Sequence, residues 1–153
     1  MDDKDKHIIS KLEQDARLSY AALGESIGLS KTPCWNRVKH LQQANIITGF
    51  AAQIDPCALG LSVRALVHVV IDFEQYQKFE QAIIAHNFVR SCHAVTGEFD
   101  YVLEILAKDI NDFDKLLRVE LSRIPGVLRF NTSISTRMVK QNGLYTSMLS
   151  NQG

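Results

Sequence analysis

Between Leu29 and Leu41 the chain reads Leu-Ser-Lys-Thr-Pro-Cys-Trp-Asn-Arg-Val-Lys-His-Leu. Wound at 3.6 residues per turn, Cys34, Val38 and Leu41 line one narrow apolar face. Thr32, Trp35, Asn36 and Lys39 gather on the opposite face, in a sector of roughly 100°. Ser30 stands at the N-cap position, and Pro33 lies in the first turn, where no intrahelical N–H is missed. A dozen such residues span roughly 18 Å and point hydroxyl, indole, amide and ammonium groups outward. That chemistry suits a polyanion with readable edges: Lys31, Arg37 and Lys39 to hold phosphates, Thr32, Trp35 and Asn36 to approach bases. The competing reading is a solvated helix face with one exposed aromatic, and the neighbouring residues must decide between the two.

Other chemistries find little purchase. The histidines at 7, 40, 68, 86 and 93 form no metal-ligand spacing with Cys34, Cys57 or Cys92, and Cys92 and His93 are strand neighbours facing opposite ways. No Ser or Cys sits in a nucleophile-elbow context. No metal, cofactor or catalytic residue is therefore expected. The three cysteines are odd in number and widely spaced, which suits a reducing compartment, with Cys34 a small core residue. No apolar run approaches a membrane span, and the opening Met-Asp-Asp-Lys-Asp does not read as a secretion signal, so a soluble cytoplasmic protein is expected. Net charge is zero, yet its distribution is uneven. Residues 30–54 carry Lys31, Arg37 and Lys39 with no acid, whereas residues 55–153 hold 10 basic and 11 acidic side chains. Such a local basic surface gives a modest grip per copy, which several copies acting together would reinforce.

The elements that must position these residues read in order. Asp5–Gln14 has Ile8, Ile9 and Leu12 at helical spacing behind an acidic start. Ser19 caps a second helix running to Ile27, with Leu23 and Ile27 as its core pair and Gly24 leaving room for a close crossing. Gly28 turns the chain into the third helix, making a helix-turn-helix. Ile47–Ile54 is β-branched and apolar enough to be a strand, and Asp55-Pro56 then breaks it. A domain boundary follows near residue 60, dividing the chain into 1–60 and 61–153. Beyond it come a strand at Val63–Phe73, a helix at Gln75–His86 and a strand at Phe88–Val95. A hairpin turn at 97–100, a strand at Tyr101–Ala107, a helix at Asn111–Arg123 and a strand at Val127–Thr136 complete the order. This is β-α-β-β-α-β, a ferredoxin-like split βαβ, so the fold class is α+β. The strands carry apolar residues on both sides, so a second subunit is expected to cover the bare face of the sheet.

The chain at this point resembles the Lrp/AsnC family of bacterial and archaeal transcription regulators, the feast/famine regulators, from about Asp5 to Lys140. The residues that carry the likeness are Leu23-Gly24-Glu25-Ser26-Ile27-Gly28-Leu29-Ser30, with Gly24 where alanine is usual, and Arg37-Val38-Lys39-His40-Leu41. Asn45-Ile46-Ile47 follows where the family usually has glycine first, and Gly97-Glu98-Phe99-Asp100-Tyr101 matches the Gly-x-x-Asp-Tyr signature of its effector domain. The resemblance implies double-stranded DNA as partner, bound by Ser30, Lys31, Thr32, Trp35, Asn36, Arg37 and Lys39. It also implies dimers, commonly assembled into octamers, and a small amino-acid effector near Gly97, Glu98, Phe99, Asp100 and Tyr101, with Asn131, Thr132 and Ser133 on the ligand-facing strand. There Asp100 would take the ligand's ammonium, while the Gly97 turn backbone, Thr132 and Ser133 would donate to its carboxylate. Read without the family, Asp100 is only a turn residue and Tyr101 a strand aromatic. The alternative from another class is a sirohaem-decarboxylase-like enzyme of the same architecture, which has no need of a basic helix free of acids.

Overall fold

The computed structural model describes residues 1–149, which fall into two compact units, Met1–Gln53 with Val139 onward, and Ile54–Met138. In the first unit α1 (Asp3–Gln14), α2 (Tyr20–Glu25) and α3 (Lys31–Gln43) enclose Ile8, Leu23, Cys34, Val38 and Leu41. Asp2 and Asp5 form a reciprocal capping box at the start of α1, each carboxylate accepting from the other's backbone N–H at 2.8 and 3.1 Å. Ser19 caps α2 by accepting from Ala22 N–H at 3.2 Å. Ser30 holds the N-cap position of α3 in extended conformation, but its hydroxyl makes no capping hydrogen bond. The cause is local: the third helical residue is Pro33, which has no N–H to offer. Gly28 takes φ +68°, and Leu29 N–H donates to Gly24 O at 2.8 Å, closing the turn between α2 and α3.

The sequence expectation of a strand at Ile47–Ile54 is not met: this segment forms no strand, and residues 48–54 make no backbone hydrogen bond to another described residue. β-branched composition does not make a strand without a partner to pair with. Ile46, Phe50 and Ile54 stay exposed along it. Residues 139–149, which the sequence division at residue 60 assigned to the second domain, pack in the first unit instead. There α6 (Tyr145–Leu149) meets α1, and the Glu13 carboxylate accepts from Tyr145 N–H at 2.7 Å, Thr146 N–H at 3.2 Å and the Thr146 hydroxyl at 2.7 Å. Burial would push that carboxyl up, but these donors outweigh it and hold it below the usual carboxylate value.

The second unit is a four-stranded antiparallel sheet of β1 (Val63–Ile71), β2 (Val89–Ala94), β3 (Tyr101–Ala107) and β4 (Val127–Ile134), in the order β2-β3-β1-β4. Alternation along β1 and β3 buries Val63, Ala65, Val67, Val69 and Ile71 with Tyr101, Leu103, Ile105 and Ala107. This face packs on Phe79 and Ile83 of α4 (Tyr76–Ala85) and on Phe113 of α5 (Ile110–Lys115), joined by Leu121 and Ile124. The helix expected over Asn111–Arg123 is regular only to Lys115, then widens into a π turn at Leu116–Glu120 and tightens into a 3-10 turn at Leu121–Arg123. The widened turn returns fully buried Leu121 to the core side, and the Ser122 hydroxyl bonds back to Arg118 O in the bend. Within this unit no described helix covers the opposite face of the sheet. That face presents Arg64, Leu66, His68 and Val70 of β1 beside Val102, Glu104 and Leu106 of β3. Among the described residues no helix is long and apolar enough to cross a membrane, and no His, Cys, Asp and Glu cluster is placed to hold a metal ion.

Candidate nucleic-acid interface and effector site

The helical spacing of α3 is realised: Cys34, Val38 and Leu41 are buried, while Ser30, Lys31, Thr32, Trp35, Asn36 and Lys39 are exposed. Lys39 Nζ lies 5.0 Å from the centre of the Trp35 ring, one turn apart on the same face, a cation–π contact. Arg37, expected as a phosphate ligand, is paired within its own unit. Its Nη1 donates to Asp2 Oδ2 and to Asp5 Oδ1, both at 2.7 Å, so the guanidinium joins the recognition helix to the capping box of α1. The two carboxylates hold Arg37 above its ordinary value, and Asp2 sits below its own through the Asp5 N–H and then Arg37. The reason lies in placement, since Arg37 is beside the buried Cys34–Val38–Leu41 stripe and not centred on the open face. Lys31 and Lys39, the other two cations of the segment, are both exposed.

In the second unit the turn from β2 to β3 takes Gly97 through φ +118° with open space around its Cα. Val95 N–H donates to Asp100 O and Asp100 N–H to Val69 O, both at 2.9 Å. The Asp100 carboxylate is already employed, for Oδ2 accepts from Ile71 N–H at 2.9 Å where β1 and β4 slip register. Its Oδ1 makes no hydrogen bond to a described residue. Phe99 is half-buried, its ring centre 5.2 Å from that of His68 and 5.2 Å from the Arg129 guanidinium, while Arg129 also reaches Glu98 at 3.2 Å. Tyr101 faces the other way. It lies in the core against Phe79, its hydroxyl donating to Glu80 Oε1 at 2.7 Å, and burial followed by Glu80 pushes it up to about 12.

The Asn131-Thr132-Ser133 group also divides. Thr132 pairs with Val67 and so shares the helix-covered face, while Asn131 and Ser133 pair with His68 and Leu66 on the open face. Thr132 and Ser133 therefore cannot donate together to one ligand carboxylate. A row runs across the open face from His93 through Val102 and His68 to Asn131, just below the hairpin. Two residues further along β3 on the same face, Glu104 pairs with Arg64 at 2.6 Å, three-quarters buried, with the Ser91 hydroxyl 3.5 Å from the same carboxylate. His68, Arg129 and this ion pair escaped the sequence reading. Their signal was the strand alternation that put Val63, Ala65 and Val67 inward and so forced Arg64, Leu66 and His68 outward.

Residues 1–42 match the AsnC-type helix-turn-helix domain, and residues 64–145 match the Lrp/AsnC ligand binding domain. The chain belongs to the Lrp/AsnC family. The leucine-responsive regulatory protein of Escherichia coli strain K12 is 32% identical over 145 residues, covering 93% of this chain and 88% of that protein. A transcriptional regulator from Neisseria meningitidis, solved as a complex with L-Met, superposes with a TM-score of 0.89 at 30% identity, over 92% of this chain and 93% of that one. Escherichia coli AsnC shares the fold, with a TM-score of 0.87 over 92% of this chain and 95% of its own at 22% identity. As a member of the Lrp/AsnC family the chain is a transcription regulator with a helix-turn-helix DNA-binding domain, and the enzyme alternative is set aside.

Proposed function

We propose that this Lrp/AsnC regulator grips double-stranded DNA through the exposed face of α3 and responds to a small amino acid held at the β2–β3 hairpin. In this reading Ser30, Lys31 and Lys39 contact phosphates, and Thr32, Trp35 and Asn36 approach base edges. Arg37 belongs to the interface as the group that orients the helix. The observation that carries the reading is the sorting of α3 itself. Every apolar residue at the buried spacing is inside, every potential DNA group except Arg37 is outside, and no acid lies between residues 30 and 54.

For the effector, Asp100 Oδ1 and the turn backbone at Gly97, Glu98 and Phe99 supply opposite ends of a zwitterion site, with Asn131 and Ser133 on the open face of the sheet. Tyr101 and Thr132 support the site from the core side. The L-Met complex of the neisserial relative supports an amino acid as the ligand class. The open face carries Leu66 (43% exposed), His68, Val70, Val102 and Leu106 without a described helix of its own unit above it. A second copy covering this face makes a dimer, and dimers assemble further to an octamer. The discriminating experiment is a thermal-shift screen against the twenty amino acids, followed by DNA binding with and without the hit. A ligand at 100 times its Kd stabilises the fold by about 2.7 kcal/mol. No shift with any amino acid would sink the effector assignment and leave the DNA assignment standing.

A further inference from the structure

We infer that Trp35 is the residue by which this regulator recognises the 5-methyl group of thymine in the major groove. The inference rests on the reading of α3 as the DNA interface. Trp35 is the fifth of thirteen residues in α3, in the N-terminal half, the part of a helix-turn-helix recognition helix that reaches base edges. It is 41% exposed although it is a large aromatic, and it takes no part in the apolar cluster that holds this unit together. Folding therefore does not account for it.

What the side chain offers is also narrow. Its one polar group is the indole N–H, which donates to no described residue, and the rest is apolar ring. A base edge in the major groove carries one apolar group to match such a surface, the thymine methyl. Asn36, exposed beside it, has the amide that pairs with adenine N6 and N7, so neighbouring residues of one helix face fit the two bases of A·T steps. Lys39 completes the arrangement. Its ammonium, 5.0 Å from the ring centre, covers one face of the indole and restricts its rotamers before DNA arrives. The other face and the edge stay open for the methyl group.

The test uses the full-length protein and duplexes selected from a random library, with each thymine replaced in turn by deoxyuridine, which keeps the hydrogen bonds and deletes the methyl. Wild type loses about fourfold in affinity at the contacted position, the fold-change equivalent of one buried methylene at ~0.8 kcal/mol. Trp35→Ala binds the thymine and uracil duplexes alike, Trp35→Phe keeps part of the difference, and Lys39→Ala keeps the difference while binding every duplex more weakly. Equal wild-type binding of all uracil-substituted duplexes overturns the inference, and so does an undiminished difference in Trp35→Ala. Where Trp35→Ala misfolds, Trp35→Phe carries the test, and an undiminished difference there overturns the inference. Failure of wild type to enrich any duplex overturns the DNA reading of α3 together with it.

Discussion

The turn of the helix-turn-helix passes close to Gly24, and Gly24→Ala sets two effects of opposite sign against each other. An alanine inside a helix is favoured over glycine by about 1 kcal/mol, because the unfolded chain has less freedom to lose. Gly24 lies within α2, so on helix propensity alone the substitution stabilises. Packing opposes it. A Cβ at this position would lie 2.6 Å from Leu29 O, 3.2 Å from Ser30 O and 3.3 Å from Cys34 Cβ. None of these neighbours yields cheaply: the first two are backbone of the turn itself, and Cys34 is fully buried. Leu29 is further held by its 2.8 Å hydrogen bond to Gly24 O. Forcing a methyl group into a closed core costs typically 1–3 kcal/mol, so the balance falls on destabilisation by up to about 2 kcal/mol. Urea unfolding followed through Trp35, the single tryptophan, reads the first unit directly. Gly28→Ala serves as the comparison. Its φ of +68° and empty surroundings leave only the left-handed backbone cost, about 1–2 kcal/mol. A Gly24→Ala protein more stable than wild type by about 1 kcal/mol would refute the packing argument and show that the turn relaxes freely.

Lys39→Ala should lower the slope of log affinity against log salt by about one, whereas Arg37→Ala should leave that slope near wild type while loosening α3 against α1. Equal loss of slope in both would mean that Arg37 leaves Asp2 and Asp5 to hold a phosphate. Asp100→Asn keeps an oxygen for Ile71 N–H but removes the charge offered to an ammonium. It should melt like wild type and bind the amino-acid effector about tenfold or more weakly in calorimetry, the loss of a charge-assisted bond of roughly 1.5–3 kcal/mol. An unchanged effector Kd would reduce Asp100 to a turn anchor. Glu13 titrates lower in the folded state than its ordinary 4.5, so its hold on α6 is fully present above that pH and is lost as pH falls through the lower folded value. Amide exchange at Tyr145 and Thr146 should rise over that acid range in wild type, and already be fast at neutral pH in Glu13→Ala, which leaves neither amide its acceptor. Slow exchange in the variant would show that other contacts dock the helix.

Much of this architecture was legible because it is written in short-range periodicity. The spacing of Cys34, Val38 and Leu41 determines which face of α3 is buried, and strict alternation from Val63 to Ile71 determines the sides of β1. The βαββαβ order follows from such patterns read in sequence, as does the left-handed turn at Gly28. What the tertiary structure alone decided concerns partners far apart in the chain. Arg37 looks like a free cation until Asp2 and Asp5, more than thirty residues away, arrive at 2.7 Å. Asp100 looks like a free carboxylate until Ile71 N–H claims one oxygen. Ile47–Ile54 has the composition of a strand, but composition cannot supply the neighbour whose backbone groups a strand must meet. Thr132 and Ser133 are adjacent and both polar, yet the register of β4 against β1 sends them to opposite faces, because a strand alternates with each residue and a one-residue change of pairing reverses every side chain.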